Sequence, residues 1–408
     1  MLSEVVLQSR NRDFVAGNAK LLREINTETI LRVIREKQPI SRSQIAKLTR
    51  LNKGTVSNIT AELLEDDLIF ESSTTEGAIG RSPVNLSLKL GKHFVGAVDL
   101  DSPVTRVGVV DIDGSVKAMS SIQTEPGLPD ESVAACVQEL RSVCARLNVE
   151  HLEGLGVSVS GLVNSGAQVV NFASNLRWEN FNLGEAIRKL LPEIGNVSFG
   201  NGANVSALAE LWFGTHEVDL TNFIFLSVHP GIGSGIIIEN RLVEGEYQAS
   251  GEIGHMVIYP GGEPCLCGSN GCLEAYASDR ATVRRYVVKK YGNVAHPADV
   301  SLESIIDLAK KGDDIAVDVL KQTGHYLGLG ISNAIKVIDP HVIIVGGLIT
   351  RSWDLVHPEI MKVIRQQAYF GRRESVEILP TSLTVPPRLL GAATLAIERM
   401  FDDYSLSD

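Results

Sequence analysis

The sequence predicts an α/β protein, with an N-terminal winged helix-turn-helix domain followed by a two-lobed α/β body. Three observations predict it. A segment near the N-terminus breaks into three short helical periods and two strand-like runs; from Phe94 onward β-rich runs alternate with helical periods; and that alternation is laid out twice without a close sequence repeat. At 408 residues the chain exceeds one ordinary domain and has apolar content for separate cores. The expected divisions are an arm over 1–24, the winged domain over 25–90, a first α/β lobe over 91–199 and a second over 200–390.

Charge separates these parts. The chain carries a net charge of −11, yet Lys20 to Lys53 holds nine Lys/Arg against three Asp/Glu, whereas residues 91–408 hold 25 against 38. An acidic body repels nucleic acid, so any nucleic-acid contact belongs to the basic segment. No stretch approaches the roughly 20 consecutive apolar residues of a membrane span, and the start MLSEVVLQSRNRD lacks the pattern of a signal peptide. A cytoplasmic chain with no membrane partner is the expectation. In a reducing compartment a dense Cys/His cluster reads as a metal site, and the isolated Cys136 and Cys144 as ordinary buried thiols.

In the winged domain Ile30, Val33 and Ile34 share one helical face, Ile45 and Leu48 a second, and Val56, Ile59 and Leu63 a third. Ser41 with Gln44 forms a capping box for the second helix and Asn52 an N-cap for the third, leaving only a tight turn between them. The third helix then offers Lys53, Thr55, Ser57 and Asn58 to a major groove, with Arg42 at the start of the second helix. The polar run SSTTEGAIGRSP and the alternating Val84, Leu86 and Leu88 form a wing whose Arg81 reaches toward a minor groove. The competing reading is a helical subdomain for protein docking; local positive charge and the Gly-Arg tip favour operator DNA.

In the body, FVGAVDL, RVGVVDI, a helix over 132–148 and LEGLGVSVSGLV precede a second series, NFIFLSV, GSGIIIEN and HVIIVGGL. Within the second series, between GSGIIIEN and HVIIVGGL, lies EIGHMVIYPGGEPCLCGSNGCLE, residues 252–274. His255, Cys265, Cys267 and Cys272 have the spacing H-x9-C-x-C-x4-C, with Gly268 and Gly271 to let the backbone fold tightly. Three thiolates and an imidazole are a closed tetrahedral set for one structural Zn²⁺ per chain, with no position open for an activated water. The metal fixes Glu252 and Glu274 relative to each other, and an imidazole bound through one nitrogen donates from the other. Glu252, His255 and Glu274 thus form an acceptor–donor–acceptor set for adjacent sugar hydroxyls. Asn175 adds a hydrogen bond; Trp178 is either an aromatic platform or plain core.

These motifs, GLGVSVSGLV, GNGANVSALAELWFG, GIGSGI, GEIGHM and CLCGSNGCLE, together with the N-terminal winged helix, resemble the ROK family of repressors and sugar kinases in the family's order, along nearly the whole chain. NLRW and LPTSL resemble its xylose-repressor branch. The resemblance implies an RNase-H-like, actin/hexokinase-type pair of lobes with a C-terminal helix over 391–401 returning to the first lobe. It also implies that Glu252, His255 and Glu274 hold the sugar, with Asn201, Ser160 and Gly161 as further contacts.

The kinases of this family carry an Asn-Asp pair where this chain has Asn201-Gly202, and the aspartate is their general base; glycine cannot take that role. A positioned base typically contributes 10²- to 10⁴-fold. Their first phosphate loop is matched by DLDSPVT, where the carboxylate of Asp101 repels phosphate and Pro103 lacks an N–H. HPGIGSG keeps Gly231, Gly233 and Gly235, which a tight hairpin also requires. The expected function is therefore a non-enzymatic, sugar-responsive repressor of carbohydrate-utilisation genes. It binds operator DNA as a homodimer or homotetramer and responds to an aldose such as xylose or glucose. The alternatives are a sugar kinase with an attached DNA-binding domain, and a constitutive DNA-binding protein with a vestigial cleft.

Overall fold

The computed structural model describes residues 19–73, 84–292, 300–367 and 376–404. They fall into two units, one running to Lys92 and taking in the chain from Glu398, the other His93–Ile397. The first unit holds α1 (Ala19–Lys37), β1 (Ile40–Ser41), α2 (Arg42–Thr49), α3 (Lys53–Glu65), β2 (Ile69–Ser73) and β3 (Val84–Leu88). Ser41 accepts from the Gln44 N–H while its own N–H donates to the Gln44 side chain, and Asn52 accepts from the Thr55 N–H. Both helix starts therefore lie where the capping residues put them.

The core of this unit is built from Ile30, Ile34, Ile45, Val56, Ile59, Leu63, Leu86 and Leu88. Leu48, expected beside Ile45 on the buried face, is 56 % exposed. Three residues along a helix fall about 60° short of a full turn, and the contact of this short helix is narrow enough for Ile45 to fill it. The helix α1 starts at Ala19, so residues 19–24 are helix and not arm. The rest of the arm and the tip with Arg81 lie outside the described residues. Strand order is β1-β3-β2, and the two-residue β1, too short to show a period, pairs Ile40 with Leu86.

In the body, β4 (Phe94–Leu100), β5 (Val104–Asp111) and β6 (Val116–Gln123) lead to α4 (Pro129–Leu147), β7 (Gly154–Val159), β8 (Leu162–Asn164), β9 (Val169–Ala173), β10 (Trp178–Phe181), α5 (Leu183–Leu190) and β11 (Val197–Asn201). Next come α6 (Gly202–Phe213), β12 (Phe223–Val228), β13 (Ile232–Ile238), β14 (Arg241–Leu242), α7 (Glu274–Ala277), α8 (Asp279–Tyr291), α9 (Leu302–Lys310) and α10 (Asp314–Ile338). The chain finishes with β15 (Val342–Gly346), α11 (Trp353–Gln367), β16 (Glu377–Pro380) and α12 (Pro387–Tyr404).

Two five-stranded sheets run β11-β7-β4-β5-β6 and β14-β13-β12-β15-β16. Each is an antiparallel three-strand meander extended by two strands parallel to its first, so one topology occurs twice. β6, missing from the sequence reading, alternates between half-buried and exposed along its length, which leaves it without an apolar run. The division between lobes falls after Asn201. β11 belongs to the first sheet, whereas α6 packs so closely on β13 that a Cβ on Gly235 would stand 2.6 Å from Ala207 Cβ.

The helix α12 is longer than the 391–401 expected. Its body section is clamped to both lobes: a Cβ on Gly156 of β7 would meet the Ala392 carbonyl oxygen at 1.7 Å, and one on Gly391 the oxygen of Val205 on α6 at 2.0 Å. From Glu398 it groups with the N-terminal unit instead of the first lobe, and Met400 and Phe401 are buried there.

Candidate functional site

Cys265 Sγ lies 3.7 Å from His255 Nδ1, Cys267 Sγ 3.7 Å from Cys272 Sγ, and the four ligand atoms lie within 4.8 Å of one another. Two ligands each about 2.0–2.3 Å from one ion at the tetrahedral angle stand roughly 3.3–3.8 Å apart, so the spacing fits an ion-centred tetrahedron. It exceeds the ~2.05 Å of a disulfide. The loop is shaped by its glycines. Gly268 (φ 89°) and Gly271 (φ 83°) adopt left-handed backbone, and a Cβ on Gly271 would collide with the Tyr259 carbonyl at 1.8 Å. Burial pushes the Cys265 thiol up to about 12. A divalent cation relieves that cost by taking the ligands as thiolates.

With Nδ1 turned to the cysteines, His255 presents Nε2 to Glu252, 3.7 Å from Oε2. Burial, reinforced by the nearby Glu274, holds the Glu252 carboxyl above its ordinary value, while His255 opposes the shift. Glu274 opens α7, and its Oε2 accepts the Ile232 N–H at 2.8 Å. Gly231 is required there, since a Cβ would stand 2.7 Å from the same oxygen. The structure therefore brings Glu252, His255 and Glu274 together. The glycines of HPGIGSG serve this contact and the packing of α6, as Gly233 and Gly235 lie against Ala203 and Ala207.

The first-lobe residues form a second group. Asn201 Nδ2 donates to the Gly161 carbonyl at 2.8 Å, and its Oδ1 caps α6 by accepting from Ala203 and Asn204. Gly161 is needed because a Cβ would stand 2.3 Å from the Phe172 oxygen. Ser160 Oγ donates to Asp101 Oδ2 at 3.0 Å, and Asn175 Nδ2 to Asp101 Oδ1 at 3.4 Å. Trp178 is 2 % exposed and stacks obliquely on Phe181, so it belongs to the core.

The hub of this group, unassigned from sequence, is an ion network. Arg388 reaches Asp101 Oδ2 at 2.7 Å and Asp99 Oδ1 at 2.8 Å, while Arg106 meets Asp99 Oδ2 at 3.2 Å. Burial raises the Asp99 pKa and the two guanidiniums oppose it. Arg388 Nε lies 2.7 Å from where a Cβ on Gly202 would stand. No local pattern marks Arg388, which is 287 residues from Asp101.

The β12–β13 connection joins the two groups. Its Gly231 and Ile232 touch Glu274, and its His229 is within electrostatic reach of Arg388, Asp101 and Arg106. Burial, then Arg388, lowers the His229 pKa from 6.5 to about 4, with Asp101 opposing. A lowered histidine is neutral when folded, so its contribution is intact above pH 6.5 and declines as pH falls toward 4. The expected result is a loss of about 2 kcal/mol between pH 6.5 and 4 that His229→Gln removes, read from urea unfolding at several pH values.

On α3, Lys53, Ser57 and Asn58 are exposed and Thr55 partly so, opposite the buried Val56, Ile59 and Leu63. Arg42 does not stand free: its Nε donates to Thr60 Oγ1 at 2.8 Å and its Nη1 pairs with Glu71 at 2.7 Å. It braces α2 against α3 and β2.

A family model described as the ROK family matches residues 95–399. The xylose repressor of Bacillus spizizenii is 30% identical over 385 residues, covering 93% of this chain and 97% of that protein. A crystal structure described as a ROK family transcriptional regulator, homolog of the E. coli MLC protein, matches with a TM-score of 0.80 at 28% identity, over 94% of this chain and 98% of its own. A ROK family glucokinase from Streptomyces griseus, solved with glucose and AMPPNP, matches with a TM-score of 0.63 at 28% identity, over 74% of this chain and 98% of its own.

Proposed function

The chain belongs to the ROK family, and from that premise we propose that it is a sugar-responsive transcriptional repressor without phosphoryl-transfer activity. The observation that carries this reading against the kinase is at Gly202, which has no side chain to act as a base and where the guanidinium of Arg388 occupies the space a side chain would take. A base contributes 10²- to 10⁴-fold to such a transfer. The neighbouring Asp101, an acceptor-only carboxylate paired with Arg388, stands where the family's kinases offer backbone donors to phosphate.

What remains is a binding site. His255, Cys265, Cys267 and Cys272 would hold one Zn²⁺, which supplies fixed geometry to the loop and no chemistry on the sugar. Glu252 and Glu274 accept from sugar hydroxyls and His255 Nε2 donates. The N-terminal unit, with α2 and α3 joined by a tight turn and a three-stranded sheet, supports a winged helix-turn-helix, whose α3 would enter the major groove of operator DNA. A homodimer or homotetramer would present two such helices to two half-sites. The names of the relatives favour D-xylose as the first sugar to test.

Sugar must prefer one closure of the two lobes to change operator affinity, since equal affinity for both shifts nothing. Incubating the purified protein with Mg-ATP and D-xylose or D-glucose should yield no sugar phosphate above the rate of a heat-inactivated control. Turnover near 1–100 s⁻¹, the ordinary kinase range, contradicts the reading.

A further inference from the structure

The geometry assigns to Asp101 a positioning role in the effector site: held by Arg388, it makes Ser160 and Asn175 present acceptors and selects a neutral, unphosphorylated sugar. This rests on reading the cleft as a sugar site. Asp101 follows β4, and its side chain is 20% exposed. Its Oδ1 accepts from the Ser102 N–H at 2.8 Å and from Asn175 Nδ2 at 3.4 Å. Its Oδ2 accepts from Ser160 Oγ at 3.0 Å and from Arg388 Nη1 at 2.7 Å. An ionised carboxylate has about four lone-pair sites, so it is saturated by protein donors and offers little to a ligand.

Its effect is on its partners. A carboxylate accepts only, which commits the single hydroxyl proton of Ser160 to Asp101 and leaves the serine's lone pairs for a ligand's O–H. The bond from Nδ2 fixes the Asn175 amide in one orientation, with Oδ1 turned away from Asp101. Glu252 and Glu274 are acceptors already, so the site is rich in groups that take protons from sugar hydroxyls. A phosphate ester, itself an acceptor at neutral pH, finds few donors in that company. Arg388 does not supply them, as its Nη1 donates to Asp101 and its Nε and Nη2 are buried.

The hub is rigid. Arg388 stands in the first turn of α12, and the close packing of Gly156 against Ala392 and of Gly391 against Val205 fixes that helix against β7 and α6. Asp99 is buried and shared between Arg388 and Arg106, so two acids face two guanidiniums and the cluster is electrically balanced.

Isothermal titration with D-xylose, D-glucose and D-glucose 6-phosphate tests the assignment on wild-type protein, Ser160→Ala, Asp101→Asn, Arg388→Lys and the double variant Ser160→Ala/Asp101→Asn. Wild type should bind one of the two free sugars at least tenfold tighter than the phosphate ester. Ser160→Ala and Asp101→Asn should each weaken that sugar about tenfold, with little further loss in the double variant, because both remove one oriented acceptor. Arg388→Lys, which keeps the charge but not the two-point contact, should lose part of the same affinity. Should Asp101→Asn not fold, unchanged binding in Ser160→Ala still overturns the assignment. Additive losses in the double variant overturn it too, as does binding of glucose 6-phosphate as tight as that of glucose. If wild type binds neither free sugar, the sugar reading of the cleft falls and this assignment with it.

Discussion

Cys272→Ser is expected to strip the chain of its metal and abolish sugar binding in one step. Cys272 is fully buried, sits 3.7 Å from Cys267 Sγ, and carries the backbone bridge to Val257 that closes the loop. Serine is a poor ligand for a borderline-soft ion, so three ligands remain and the site loses its closed tetrahedron. Structural zinc is worth about 10–16 kcal/mol of apparent binding free energy in small peptides, and an ion held by this His/Cys3 cluster would set the shape of residues 255–272. Wild type should carry one zinc per chain by mass spectrometry and the variant close to none. The melting temperature should fall, and D-xylose binding should weaken by about 100-fold or more. A metal-free variant that binds sugar like wild type would show that the loop does not orient the glutamates.

Glu252→Ala separates binding from folding. Its side chain is 45% exposed and meets His255 Nε2 at 3.7 Å, so little packing is lost. Burial and the nearby Glu274 hold its pKa up, which means that the ionised carboxylate is kept in the cleft at some cost to stability. Removing it should leave the melting temperature unchanged or slightly higher, the usual relation between a strained site and the stability of its scaffold. Zinc content should stay at one per chain. A hydrogen bond to a charged group contributes about 1.5–3 kcal/mol, so losing a carboxylate that accepts from one or two hydroxyls should weaken sugar about 10- to 100-fold or more. Retained affinity would remove Glu252 from the site.

The parts legible in the sequence are those fixed by short-range chemistry. Ser41 with Gln44 and Asn52 located two helix starts because a cap bonds to residues within one turn. The H-x9-C-x-C-x4-C spacing located the His/Cys cluster because its four residues share one short loop. The β-runs from Phe94 and Phe223 were visible because both faces of those strands are buried.

What stayed hidden depends on distant partners. Arg388 has no signature, for its meaning comes from Asp99 and Asp101 on another element. Asp101 read as damage to a phosphate loop, yet in the fold it receives Ser160, Asn175 and Arg388. Arg42, expected at the DNA, has Thr60 and Glu71 as its partners in the fold, 18 and 29 residues away, where no short-range pattern points. Leu48 shows the limit of periodicity, which gives a face without saying how much of that face the neighbouring helix covers.

The most direct test of a sugar-responsive repressor is a titration of the full-length protein onto labelled operator DNA, selected from random duplexes, with and without D-xylose or D-glucose. One sugar should move the apparent affinity at least tenfold at fixed salt, and Glu252→Ala should bind the same DNA without responding. Coincident curves for every sugar with wild-type protein would contradict the account.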